Sequence, residues 1–133
     1  MKESTNLKGH CYCGDVSFEI TGDPVRVAHC HCESCRRSVG VAMVTSAGFL
    51  LDQISFTGNL PSIFTNDDGV SRGFCGRCGS SVSYHRSDSA YTFVYLGLFN
   101  EPEKFVPEVH MMYSEKIDWL RVDDNLPKSN DFS

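Results

Sequence analysis

Seven cysteines in 133 residues, gathered into three short groups, constrain this chain more than any other feature. Cys11 and Cys13 lie in GHCYCGDV, Cys30, Cys32 and Cys35 in HCHCESCRR, and Cys75 and Cys78 in FCGRCG. An odd count cannot be a complete disulfide framework. The opening MKESTNLKG also lacks the apolar stretch of an export signal, so reduced thiols and a cytoplasmic location are expected. Cysteines clustered at ligand spacing point instead to zinc.

The groups can be sorted by local geometry. On a strand, residues two apart share a face, so Cys11 and Cys13 can reach one ion. Cys75-x-x-Cys78, with Gly76 and Gly79, resembles a zinc knuckle, in which glycine lets the backbone curl around the sulfurs. Strand pair plus knuckle makes a closed four-thiolate tetrahedron, a long-range clip that adds folding free energy. That leaves Cys30, Cys32 and Cys35. If this segment is a strand, His29 and His31 point to the opposite face and cannot complete the set. Three protein ligands and an open fourth position is the arrangement of catalytic zinc, and two zinc ions per chain are expected. Two alternatives stand beside it: a second structural zinc with a distant fourth ligand (His10, His85, His110 or a carboxylate), and a partition that takes Cys11, Cys13, Cys30 and Cys32 together.

The rest of the chain predicts one all-β domain over residues 1–133, ending in a frayed tail at 128–133. Short β-type runs recur at VSFEI (16–20), VRVAHCHC (25–32), VAMVTS (41–46), ISFTG (54–58), SIFT (62–65), SVSYH (81–85), YTFVYLGLF (91–99), EVHMMY (108–113) and WLRV (119–122). Turn residues punctuate them, as in Asn66-Asp67-Asp68-Gly69. Only Glu33–Val39 and EPEKF (101–105) suggest short helical turns. A net charge of −5 argues against nucleic acid or an anionic membrane as partner, and no apolar run is long enough to span a bilayer.

Taken together and in order, three motifs resemble one family: Gly9-x-Cys11-x-Cys13-Gly14, then Cys30-His31-Cys32-x-x-Cys35-Arg36, then Phe74-Cys75-x-x-Cys78-Gly79-Ser80. They are similar to those of the glutathione-dependent formaldehyde-activating enzymes, which also include centromere protein V. The ending LGLFNEPEKFVPEVHMMYSEKIDWLRVDDNLP (96–127) agrees, so the resemblance covers about residues 8–127. It implies a zinc-containing β-tent fold of folded-over antiparallel sheets. It implies a structural zinc on Cys11, Cys13, Cys75 and Cys78 and a catalytic zinc on Cys30, Cys32 and Cys35. The implied activity is carbon–sulfur lyase chemistry in the bond-forming direction, joining glutathione or another small thiol to formaldehyde as the S-hydroxymethyl adduct.

Other residues carry weaker expectations. Arg36 and Arg37 are candidate grips for a thiol's carboxylate, against a solvated pair. His110 and His85 are candidate acid–base groups, against satisfied sheet histidines. Trp119 reads as core or interface. Arg72 and Arg77 read as solvent-exposed flanks of the knuckle. The competing function class is a non-catalytic, zinc-stabilised protein-binding module. Oligomeric state is not legible.

Overall fold

The computed structural model describes residues 7–132. Two sheets lean over a shared core. The smaller has the order β1-β2-β5, from β1 (Leu7–His10), β2 (Ser17–Ile20) and β5 (Ile54–Phe56). The larger runs β10-β3-β4-β9-β8-β7-β6. Its strands are β3 (Arg26–Cys30), β4 (Val44–Leu50), β6 (Ser62–Thr65), β7 (Val70–Phe74), β8 (Ser81–Arg86), β9 (Tyr91–Tyr95) and β10 (Val109–Met111). One short helix, α1 (Glu33–Val39), and a few 3-10 turns complete an all-β fold, as the turn-punctuated sequence predicts. Among the described residues, no helix is long and apolar enough to cross a membrane.

Side-chain alternation explains the layering. On β2, Phe18 and Ile20 are buried while Ser17 and Glu19 are half-buried, the period of a one-sided strand. β4 is buried along nearly its whole length, as befits a strand deep inside the larger sheet. The main core sets Phe18 and Ile20 of the small sheet against Val27, Phe49 and Val94 of the large one. Phe99 and Phe105, with ring centroids 4.4 Å apart, close it. Burial of this aromatic and aliphatic area, about 25 cal/mol per Å², is the main force holding the sheets together.

Several elements differ from the sequence reading. The β10–β3 pair is parallel, whereas all other strand pairs in the two sheets are antiparallel. Strand β7 was not legible, because VSRGF reads as polar and glycine-broken. The segment 119–122 is not a strand. Lys116 Nζ donates to the carbonyls of Ile117 and Leu120, both at 3.0 Å, and curls the chain into a turn. Trp119 stands 70% exposed on that turn rather than in the core. The run 101–105 becomes the 3-10 turn Pro102–Lys104, and Glu33–Val39 becomes α1 as expected. The last described residues are not frayed: Ser129 N–H donates to the His110 carbonyl and Met112 N–H to that of Asp131, laying the C-terminal segment along β10.

Candidate metal centres

Cys11 and Cys13 lie in the turn between β1 and β2, not on a strand as predicted; Cys75 and Cys78 lie in the turn between β7 and β8. Each turn closes on a glycine in the left-handed region, Gly14 (φ 85°) and Gly79 (φ 82°), whose N–H donates back to the Cys11 or Cys75 carbonyl. A register shift between Gly73 and Phe74 bends β7 just before its knuckle. The four sulfurs lie within 4.8 Å of one another, with Cys11–Cys13 at 3.7 Å and Cys13–Cys75 at 3.8 Å. A tetrahedral zinc with Zn–S of about 2.3 Å requires sulfur edges of about 3.8 Å, so the donor set fits that ion. Backbone N–H groups are aimed at the sulfurs: Val16 to Cys11, Asp15 to Cys13, and both Arg77 and Cys78 to Cys75. Arg77 is exposed, as expected, yet its guanidinium also hydrogen-bonds the Cys13 sulfur. The Ser80 hydroxyl and backbone N–H hold the Cys78 thiol down at about 5.

The second group occupies one continuous segment. Cys30 ends β3, Cys32 precedes the first turn of α1, and Cys35 lies within that helix. The N–H groups of Cys35 and Ser34 point at the Cys32 sulfur and that of Cys32 at Cys30, the same turn-plus-sulfur device as in the first group. All three are buried, and Cys35 is within hydrogen-bond reach of both other thiols. The three sulfurs do not all fall within 4.8 Å of one another. Cys30 donates its hydrogen to Cys35. That bond, together with the positive charge of Arg72, holds the Cys35 thiol down at about 6 against the opposing effect of burial. The same hydrogen bond and burial push Cys30 up.

Arg72 was predicted to be solvent-exposed. It is half-buried, with Nη2 3.9 Å from the Cys35 sulfur, Nη1 donating to Tyr95 Oη at 3.4 Å, and its guanidinium 5.0 Å from the centre of the Tyr84 ring. Sequence spacing could not show this, since Arg72 arrives from β7, on the far side of β9 and β8 from the cysteine segment.

Beside the triplet lies a cavity of about 390 Å³. Cys30 and Cys35 line it together with Met111, Tyr84, Tyr95, Arg26, Arg86 and Phe132, among others. Burial pushes the Tyr95 hydroxyl up to about 12. Arg36 and Arg37 do not line this cavity. Arg36 donates to the carbonyls of His31 and Glu115, and Arg37 pairs with Glu33 at 2.8 Å on the surface. His110 also lies outside it, buried between His29 and His31 with ring centroids at 4.9 and 5.1 Å. His29 and His31 thus cluster with His110 rather than with the thiols.

A family model described as glutathione-dependent formaldehyde-activating enzyme matches residues 6–115. No curated protein matches. The fold is similar to the crystal structure of a Rhodobacter sphaeroides protein, with a TM-score of 0.58 at 18% identity over 91% of this chain and 98% of that one.

Proposed function

The chain belongs to the glutathione-dependent formaldehyde-activating enzyme family, and on that premise we propose that it joins a small thiol, glutathione first, to formaldehyde. Cys11, Cys13, Cys75 and Cys78 hold a structural zinc, and Cys30, Cys32 and Cys35 a catalytic one. The observation that carries this reading is that a thiol triplet with an arginine at its back opens onto a cavity large enough for a small molecule. When bound there, zinc supplies a Lewis acid with an exchangeable fourth position in a soft, sulfur-rich setting.

The chain's own groups do the rest. Arg72 offsets the charge of the three thiolates. By donating to Tyr95 Oη, it leaves the Tyr95 O–H as a hydrogen-bond donor facing the cavity. That hydroxyl stays protonated at neutral pH, so it can stabilise the oxygen on which charge develops. Arg26, whose Nη1 donates to the Phe132 carbonyl, has further N–H donors at the rim for the carboxylate of the thiol substrate. In the reaction the thiol loses its proton and its sulfur forms a bond to the carbonyl carbon. The C=O π pair moves to oxygen, and that oxygen takes up a proton, giving RS–CH₂–OH with nothing oxidised or reduced.

The test is exchange NMR of glutathione and formaldehyde with their adduct. Zinc-loaded protein should speed interconversion above the buffer rate, and Cys35→Ser should return it to that rate. Exchange at the buffer rate with fully loaded wild-type protein would leave the family's fold without its chemistry.

A further inference from the structure

His29, His110 and Asp124 come together on the side of β3 and β10 away from the thiols. One ligand atom from each lies within 4.8 Å of the other two. None of them lines the cavity. His29 and His110 face each other across the parallel β10–β3 register, and Asp124 arrives from the segment leading to the C-terminal arm. His110 is buried, while His29 and Asp124 are half-buried, so the group is reachable from the surface.

The ring nitrogens are already oriented. His29 Nδ1 is 2.7 Å from Thr45 Oγ1, which occupies that nitrogen and leaves Nε2 free. His110 Nδ1 is 2.8 Å from His31 Nε2, and His110 Nε2 is 3.0 Å from Asp124 Oδ2. A histidine that binds a metal through one nitrogen is characteristically held by a hydrogen bond at the other, and both histidines have that support. A divalent ion here would take the place of the proton that His110 shares with Asp124.

We propose that His29, His110 and Asp124 form a separate metal site of two imidazoles and a carboxylate, suited to a zinc- or cobalt-type divalent cation. Two nitrogens and an oxygen are borderline donors, unlike the all-sulfur sets proposed at the cysteines, so an ion held here differs from theirs in its spectrum. The ion would join β3, β10 and the segment carrying Asp124. That segment leads into the arm that lies along β10 and places Phe132 on the cavity rim. The site therefore fixes the arm that closes the cavity. It does not depend on what is bound at the cysteines.

Cobalt(II) is titrated into full-length protein loaded with no more than two equivalents of zinc, which the thiolate sites take first, and followed by calorimetry and absorption. One further equivalent should bind with d–d bands and no thiolate charge-transfer band. Affinity should fall at least about tenfold in Asp124→Asn, at the exposed end of the cluster, and in His29→Gln. In the wild-type protein, zinc(II) should shift the Nε2 resonances of two histidines in ¹⁵N spectra, a readout independent of either variant. No cobalt outside the thiolate sites, or equal affinity in wild type and both variants, would overturn the proposal and leave a hydrogen-bonded histidine–aspartate pair.

Discussion

The two cysteine groups use one local device and put it to different ends. In each, a turn aims backbone N–H groups at a sulfur: Arg77 and Cys78 at Cys75, Ser34 and Cys35 at Cys32. In each, an arginine reaches a thiol, Arg77 at Cys13 and Arg72 at Cys35. The four-sulfur group draws on two hairpin turns, one from each sheet, and its sulfurs fill every vertex of a tetrahedron. The triplet comes from one continuous segment, is less tightly drawn together, and borders a cavity. On the proposed assignment, the turn marks a sulfur for metal. Whether the fold uses it as a rivet or as a working surface depends on how many separate segments meet there and on whether protein supplies the last vertex.

The largest expected effect tests that distinction directly. Cys78→Ser should abolish cooperative unfolding, because structural zinc contributes on the order of 10 kcal/mol to folding. Cys35→Ser should lose one zinc by metal analysis and keep its thermal transition. Equal unfolding of both variants would make the two sites alike.

Next in size is Arg72→Met. It removes the charge at Cys35 and the orienting bond to Tyr95, so kcat/KM for thiol addition should fall about a hundredfold with the melting curve little changed. An unchanged kcat/KM would mean that Arg72 merely packs.

Acid should distinguish the sites less sharply. His31, beside the triplet, is held down at about 4, from an ordinary 6.5, first by burial and then by nearby His110. A base whose folded pKa is depressed stabilises the fold fully above its unfolded value. Unfolding free energy should therefore be highest above about 6.5 and decline as pH falls towards about 4. His31→Asn should flatten that slope.

The smallest effect concerns the surface arginines. Arg37→Ala should leave KM for glutathione unchanged, since Arg37 pairs with Glu33 in solvent. Arg26→Ala, at the cavity rim, should raise KM severalfold, and the reverse result would move the thiol's carboxylate onto α1.

What the sequence showed and what it hid divide along the range of the interactions. The cysteine grouping, the glycine that follows the Cys75–Cys78 knuckle and the short helix after Cys32 are set within a few residues, and they were legible. So was the turning of His29 and His31 away from the thiols, although His31 lies beyond the end of β3. The strand assigned to Cys11 and Cys13 was wrong because alternation and a tight turn give the same two-residue spacing of sulfurs. The approach of Arg72 to Cys35 and of Arg26 and Arg86 to the cavity was invisible because it depends on strand order, which spacing does not encode, and that of Phe132 because it depends on the C-terminal arm. The pairing of His110 with Asp124 depends on the chain curling after Lys116, where local composition had suggested a strand.

The four-sulfur rivet joins Cys13 to Cys75, 62 positions later. At about 5–20 residues per second, a ribosome needs roughly 3–12 s to make that interval. The triplet is complete within about a second of its first cysteine. During the gap the nascent chain offers Cys11, Cys13, Cys30 and Cys32 as its earliest set of four thiols, so an ion captured then would bind across both proposed sites. On the proposed assignment, correct loading would require that ion to exchange once the β7–β8 turn emerges. With zinc at both groups as proposed, maturation would depend on the supply of exchangeable metal during synthesis as well as on the strength of the finished sites.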